Sequence, residues 1–281
     1  MLNPDYFKRA IQAIDALGTT PAVLLKVAEL TKDPNTDLAT ICELLRNDGP
    51  LAADIIRISN SSYYAPATIH TNLTSAVGHI GLREVVRVVN LSLSRQLFAR
   101  DLVSYGVSAG VYWSDSIAAA LVMEALAKHS GLNGDDAYTI GILHAIGRVL
   151  IDRVIKEQGF TICWDGHQPI EDWEHGSVGF DYAEAGAMLL EHWLFPSPTC
   201  DIIRWQLTPE QVVEQLSLLG SLQFTHRVLA LTGLDFENKG WSLPEMDPFV
   251  QASGLTPALA FQIISVCRDD FQRILQSVDL S

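Results

Sequence analysis

The chain has 281 residues, 48% of them hydrophobic and 19% charged. This balance excludes intrinsic disorder, which combines low hydrophobicity with high net charge, and the length allows one large domain or two small ones. Lys and Arg number 19 against 33 Asp and Glu, a net charge of −14, which argues against nucleic-acid binding through phosphate contacts and, for the same reason, against an anionic membrane surface.

The first residues, Met-Leu-Asn-Pro-Asp-Tyr-Phe-Lys-Arg, meet charge before any apolar run, unlike a secretion signal. No window of about 18 apolar residues follows, so no membrane span is expected and the chain reads as soluble and cytoplasmic. Its cysteines, at 42, 163, 200 and 267, form neither a C-x-x-C pair nor a disulfide framework. They are expected to be reduced thiols.

The periodicity is helical nearly throughout. Residues 22–30 place Val23, Val27 and Leu30 on one face, and residues 38–45 do the same with Leu38, Ile41, Leu44 and Leu45. The pattern repeats at 51–58 with Leu51, Ile55, Ile56 and Ile58. Turn residues cluster at 60–72, where Asn60 is expected to bond backbone groups at a helix end, since Asn tolerates the left-handed conformation. A longer helix is predicted over 82–98, with Leu82, Val85, Val86, Val89, Leu93 and Leu97 as its apolar stripe.

A boundary is plausible near residues 102–110, giving two helical layers, 1–105 and 106–281. A helix is predicted to begin over 113–129, then a turn at 131–136. Residues 137–152 read as a buried helix, with His144 among apolar neighbours and Gly141 and Gly147 allowing close helix approach. Residues 160–164 read as a short extended run. Residues 163–180 read as one long loop, rich in Trp, His and acidic residues, of the length that is often functional or mobile. Asp181 with Glu184 is a capping-box pattern. Further helix starts are expected at Thr208-Pro209, Ser242 and Thr256-Pro257. No strand pattern long enough for a sheet is present, so the fold class is all-α.

A set of short motifs then carries a resemblance. Leu17-Gly18-Thr19-Thr20-Pro21-Ala22-Val23 opens it, and Leu45-Arg46-Asn47-Asp48-Gly49-Pro50-Leu51 follows. Asn60-Ser61-Ser62-Tyr63-Tyr64 comes next, then Thr74-Ser75-Ala76-Val77-Gly78-His79-Ile80-Gly81-Leu82. In this order the chain resembles the HDOD family, the HD-related output domain of bacterial signalling proteins, over about residues 15–235. The resemblance implies an N-terminal helical bundle packed on a degenerate HD-like bundle. It also implies where metal ligands of HD phosphohydrolases would stand. Asp115 takes the place of the first His, His144-Ala145 that of the His-Asp pair, Tyr182 that of a later His, Gln206 that of another, and Thr225-His226 that of the terminal Ala-Asp.

Of these ligands His144 alone is retained, and a catalytic metal needs several N/O ligands with an open position. The degenerate pocket of Asp115, His144, Ala145, Tyr182, Gln206 and His226 is therefore expected to hold no metal and no cofactor and to catalyse nothing, with His144 a hydrogen-bonded core histidine. An alternative remains: Asp115, His144 and His226, if they converge, make two imidazoles and a carboxylate, the ligand set of a non-haem iron site. A second alternative is an altered metal-dependent phosphohydrolase of the HD superfamily.

The expected function is a non-catalytic signal-transduction module that binds a signalling protein or small ligand, without nucleic acid or membrane. Two candidate partner-facing elements stand out. One is the helix carrying Arg83 and Arg87, with Arg95 two turns on. The other is the acidic aromatic loop with Trp164 and Trp173, beside Asp165, Glu171, Asp172 and Glu174. A solvated face and a self-packed lid are the plainer readings of these two.

Overall fold

Side-chain caps mark where the helices start. Asp37, Asp48, Asn72 and Ser108 each accept a hydrogen bond from a backbone N–H three residues on, satisfying a donor that has no partner inside the helix. The computed structural model describes residues 4–15, 22–33, 35–208, 217–232 and 252–277. Among them the regular structure is helical, with one isolated bridge between Leu102 and Val107 and no strand.

The first helices are α1 (Pro4–Asp15), α2 (Ala22–Lys32), α3 (Leu38–Arg46), α4 (Gly49–Ser59), α5 (Leu73–Ile80) and α6 (Leu82–Leu97). After a 3-10 turn at Val103–Tyr105 come α7 (Ala109–His129), α8 (Gly134–Leu143), α9 (Gly147–Glu157) and α10 (Ile170–Val178). The last described are α11 (Tyr182–His192), α12 (Ser197–Trp205), α13 (Leu218–Thr232) and α14 (Pro257–Ser277). The helix starts expected at Pro209 and Ser242 lie outside the described residues.

Helices α2 to α6 pack on one another, and α6 also meets α7 and α8. Helix α7 is the central element. It is buried on every face, Tyr112, Trp113, Asp115 and Ser116 included, as expected of a helix with neighbours all round. Those neighbours are α6, α8, α13 and α14, while α11 lies against α9 and α12. Helix α1 does not join the first group. It packs on α9, and Asp15 at its end accepts hydrogen bonds from Trp193 Nε1 (2.9 Å) and His192 Nε2 (3.0 Å).

Two glycines set the helix spacing as expected. A Cβ on Gly141 would lie 2.6 Å from Ala120 Cα, and one on Gly147 would lie 2.0 Å from the Tyr182 carbonyl oxygen. Asn60 bonds backbone as expected, donating to the Ile56 and His70 carbonyls and accepting from His70 N–H. Its conformation is not left-handed, however: φ is −90° and ψ 0°.

Two expectations need correction. The helix predicted over 137–152 is broken at residues 144–146, where i→i+3 bonds from Ile146 N–H to Leu143 and from Arg148 N–H to Ala145 tighten the backbone. His144 thus sits at a helix–helix joint. The loop predicted over 163–180 contains α10. Ile170, Trp173, Glu174 and Val178 are all buried, a helical spacing that the polar residues between them obscure.

Candidate functional site

The joint between α8 and α9 aims His144 into the interior, where it is 2% exposed. Its Nδ1 lies 2.7 Å from the Gly141 carbonyl oxygen. A carbonyl only accepts, so Nδ1 carries the proton. Its Nε2 faces Asp115 Oδ2 of α7 at 4.0 Å. The His226 ring of α13 meets the His144 ring edge-on, with centroids 5.2 Å apart.

Gln206, just after α12, closes this group. Its amide nitrogen donates to the carbonyls of His144 (2.9 Å) and Ile203 (2.8 Å). The amide oxygen therefore faces His226 Nε2 at 2.9 Å and accepts its proton. Ala145 is fully buried, and its carbonyl accepts from the Tyr112 hydroxyl. The structure thus brings Asp115, His144, Ala145, Gln206 and His226 into one buried cluster.

Tyr182, at the start of α11, lies under a cation. The Arg148 guanidinium of α9 sits 4.2 Å from the centroid of the Tyr182 ring, a cation–π arrangement. Arg148 is 4% exposed. Glu174 of α10 is fully buried and accepts from the Tyr105 hydroxyl and the Tyr182 N–H, both at 2.8 Å. Burial pushes the Glu174 carboxyl up to about 7, against the opposing pull of Arg148 and its hydrogen bonds. Burial likewise holds the Tyr105 and Tyr112 hydroxyls above the ordinary tyrosine value, with the Arg148 charge acting the other way.

Arg148, Tyr105 and Tyr112 are not candidate residues by sequence, and Glu174 is expected only as part of the acidic aromatic loop. The available signal was Arg148 itself, a cation inside the apolar run Ile-Gly-Arg-Val-Leu-Ile. Charged residues are almost never fully buried unless paired, so its partner could have been sought.

These residues fit a divalent ion poorly. Ala145 offers no ligand, and Tyr182 and Gln206 stand where two further histidines are expected, so few N/O donors converge. The His144 Nδ1–H bond to Gly141 leaves Nε2 as the basic nitrogen, turned toward Asp115. A fixed guanidinium already supplies positive charge at the Tyr182 end. Elsewhere, His175, Asp181 and Glu184 bring possible ligand atoms within 4.8 Å of one another near the surface. Both carboxylates there already serve the capping box expected at α11, and His175 Nε2 is 3.4 Å from Asp181.

The candidate partner-facing residues are placed differently from expectation. The side chain of Arg83 lies outside the described residues. Arg87 points inward. It pairs with Glu124 of α7, donates to the Tyr63 hydroxyl (3.3 Å), lies 3.8 Å from Glu84 and stacks 5.0 Å from the Tyr138 ring centroid. Its charge thus joins α6, α7 and the 60–64 turn. Trp173 is also turned inward, 8% exposed, with its ring edge-on to Tyr105 at 5.3 Å. Trp164 is half-buried, and its indole N–H donates to the Gln168 carbonyl (3.0 Å). The plainer reading of this segment, aromatics packed on their own bundle, describes Trp173.

A family model described as HDOD domain matches residues 17–209. A crystal structure of an HDOD domain protein from Geobacter sulfurreducens superposes with a TM-score of 0.72 at 19% identity, covering 98% of each chain. A suspected signal transduction protein of Marinobacter aquaeolei VT8 gives 0.69 at 21%, covering 98% of this chain and 65% of that one. A suspected phosphohydrolase of Shewanella amazonensis SB2B gives 0.62 at 20%, covering 96% and 98%. At these identities the likeness is one of fold. An uncharacterized protein of Treponema pallidum (strain Nichols) is 24% identical over 225 residues, 77% of this chain, and the match spans 42% of that protein's length.

Proposed function

The chain belongs to the HDOD family, and on that premise we propose that it is a non-catalytic regulatory module of bacterial signal transduction. It acts by binding a protein partner or a small ligand, in the cytoplasm and without nucleic acid or membrane. Among the described residues, no helix is long and apolar enough to cross a membrane.

The observation that carries this reading is the Gln206 amide. It occupies both the His144 carbonyl and His226 Nε2, so the side chain standing where the resemblance expects a further His ligand is spent on the protein itself. A catalytic metal centre keeps an open position and ligands free to bind. Arg148 above Tyr182 supports the same reading, because a resident cation disfavours a second one nearby.

The altered phosphohydrolase is the second reading. It rests on the approach of Asp115, His144 and His226 within one buried cluster. Elemental analysis and hydrolysis assays with a phosphomonoester and a cyclic dinucleotide separate the two. We expect no stoichiometric metal and no turnover. One or two metals per chain, with turnover abolished by His144→Ala, would establish the enzyme instead.

A further inference from the structure

Helices α4 and α6 each carry an arginine in the last turn, Arg57 and Arg95. Both guanidinium groups converge on one carboxylate, Asp54 of α4. Arg57 donates to Asp54 Oδ1 through Nε (3.3 Å) and Nη2 (3.0 Å). Ser92 of α6 donates to Oδ2 at 2.6 Å. Both oxygens of Asp54 are thus engaged before Arg95 is counted. Arg95 Nη1 stops 3.7 Å from Oδ1, beyond hydrogen-bond reach. Among the described residues Arg95 makes no hydrogen bond.

Two cations against one anion leave a local surplus of one positive charge in a chain whose net charge is −14. The Asp54 side chain is 20% exposed, whereas those of Arg57 and Arg95 are 38% and 39% exposed. The carboxylate is therefore the buttress, and the guanidinium groups are the part that solvent reaches. A helix C-terminus favours a cation, which accounts for each arginine singly. It does not account for their convergence on a carboxylate that is already satisfied. Planar guanidinium groups held in a fixed orientation match the geometry of carboxylate and phosphate oxygens.

We infer that Arg57 and Arg95 form an oxyanion-binding fork that receives an acidic or phosphorylated segment of a protein partner. This deepens the regulatory reading by giving the module a partner-facing element. The fork is tested by binding alone, so its failure leaves the metal and turnover measurements to decide that reading separately.

The experiment follows the arginine Nε–H resonances of the full chain during titration with inorganic phosphate. Saturable shifts at Arg57 and Arg95 are expected, while Arg204, already paired with Glu191 at 2.5 Å, stays unmoved. Arg57→Gln and Arg95→Gln should each weaken binding about tenfold, the equivalent of one lost charge-assisted hydrogen bond of ~1.4 kcal/mol. Circular dichroism verifies that both variants remain folded. Two acidic peptides of equal length, one carrying phosphoserine and one glutamate at its centre, then identify which oxyanion is preferred. Shifts spread over all arginines, no shift, or phosphate binding with neither peptide bound would overturn the proposal.

Discussion

Gly147→Ala is the most direct perturbation of the joint that holds His144. A Cβ built there lies 2.0 Å from the Tyr182 carbonyl oxygen and 2.5 Å from the Gly186 backbone nitrogen. Real Cβ contacts essentially never fall below 3.0 Å, so α9 and α11 must separate by about 1.0 Å, the difference 3.0 − 2.0. Both obstacles are backbone, so no rotamer change relieves the clash. Overpacking of a well-filled core costs ~1–3 kcal/mol, occasionally more. Alanine returns about 1 kcal/mol of helix propensity. With the clash at or beyond the upper end, we expect a net loss of ~2–3 kcal/mol, a large part of the ~5–15 kcal/mol typical of a folded protein. For a urea m-value near 3 kcal/mol/M the midpoint falls by roughly 1 M. Gly176→Ala in α10 is the control, since nothing lies within 4 Å of its added Cβ. There the propensity gain stands alone, and a rise of ~0.5–1 kcal/mol is expected. Identical behaviour of the two variants would refute the close-approach argument.

Three further outcomes follow from the same interior. Glu174 titrates at about 7 when folded against an ordinary 4.5, so the folded state binds more protons between those values. Stability should therefore fall as pH rises from about 4.5 to about 7, by up to ~3 kcal/mol; urea midpoints at pH 5 and pH 8 measure this, and Glu174→Gln should remove most of the difference. His144→Ala should cost ~1–3 kcal/mol through the cavity and the unpaired Gly141 carbonyl, and His144→Asp should cost more by burying a charge; unchanged midpoints in both would place the residue at the surface. Trp173→Ala should destabilise by ~3–5 kcal/mol as a large core truncation, whereas a folded variant of wild-type stability that loses a binding partner would return Trp173 to the partner-facing role.

Much of the architecture was readable from the chain because its signals are local. Capping at Asp181 and Glu184 needs only residues three apart, and the glycines at 141 and 147 stand out in a run with no other reason for them. Helix α10 escaped because its inward positions include Trp173 and Glu174, which look polar or exposed by type and are buried by context. Arg87 was misplaced for a related reason. Its partner Glu124 lies 37 residues away, and nothing near Arg87 in sequence reveals that the charge is matched inside. Five residues of the expected pocket meet in the interior, with Tyr182 set under Arg148 instead, but the Gln206 amide that closes the cluster involves residues 62 and 20 positions apart. No periodicity encodes such a contact.

The placement of α1 also governs when the chain can finish folding. Asp15 finds its indole partner 178 residues downstream. At ~5–20 residues per second, synthesis delivers Trp193 roughly 9–36 s after Asp15. For most of that interval, until residues 147–157 have been made, Ala10, Ile11 and Ile14, which are buried in the finished protein, have no α9 to cover them. A helix of 12 residues is marginal by itself in water. On the ribosome the N-terminal segment is therefore a waiting strand of apolar sequence, open to chaperones, until the second half emerges and captures it.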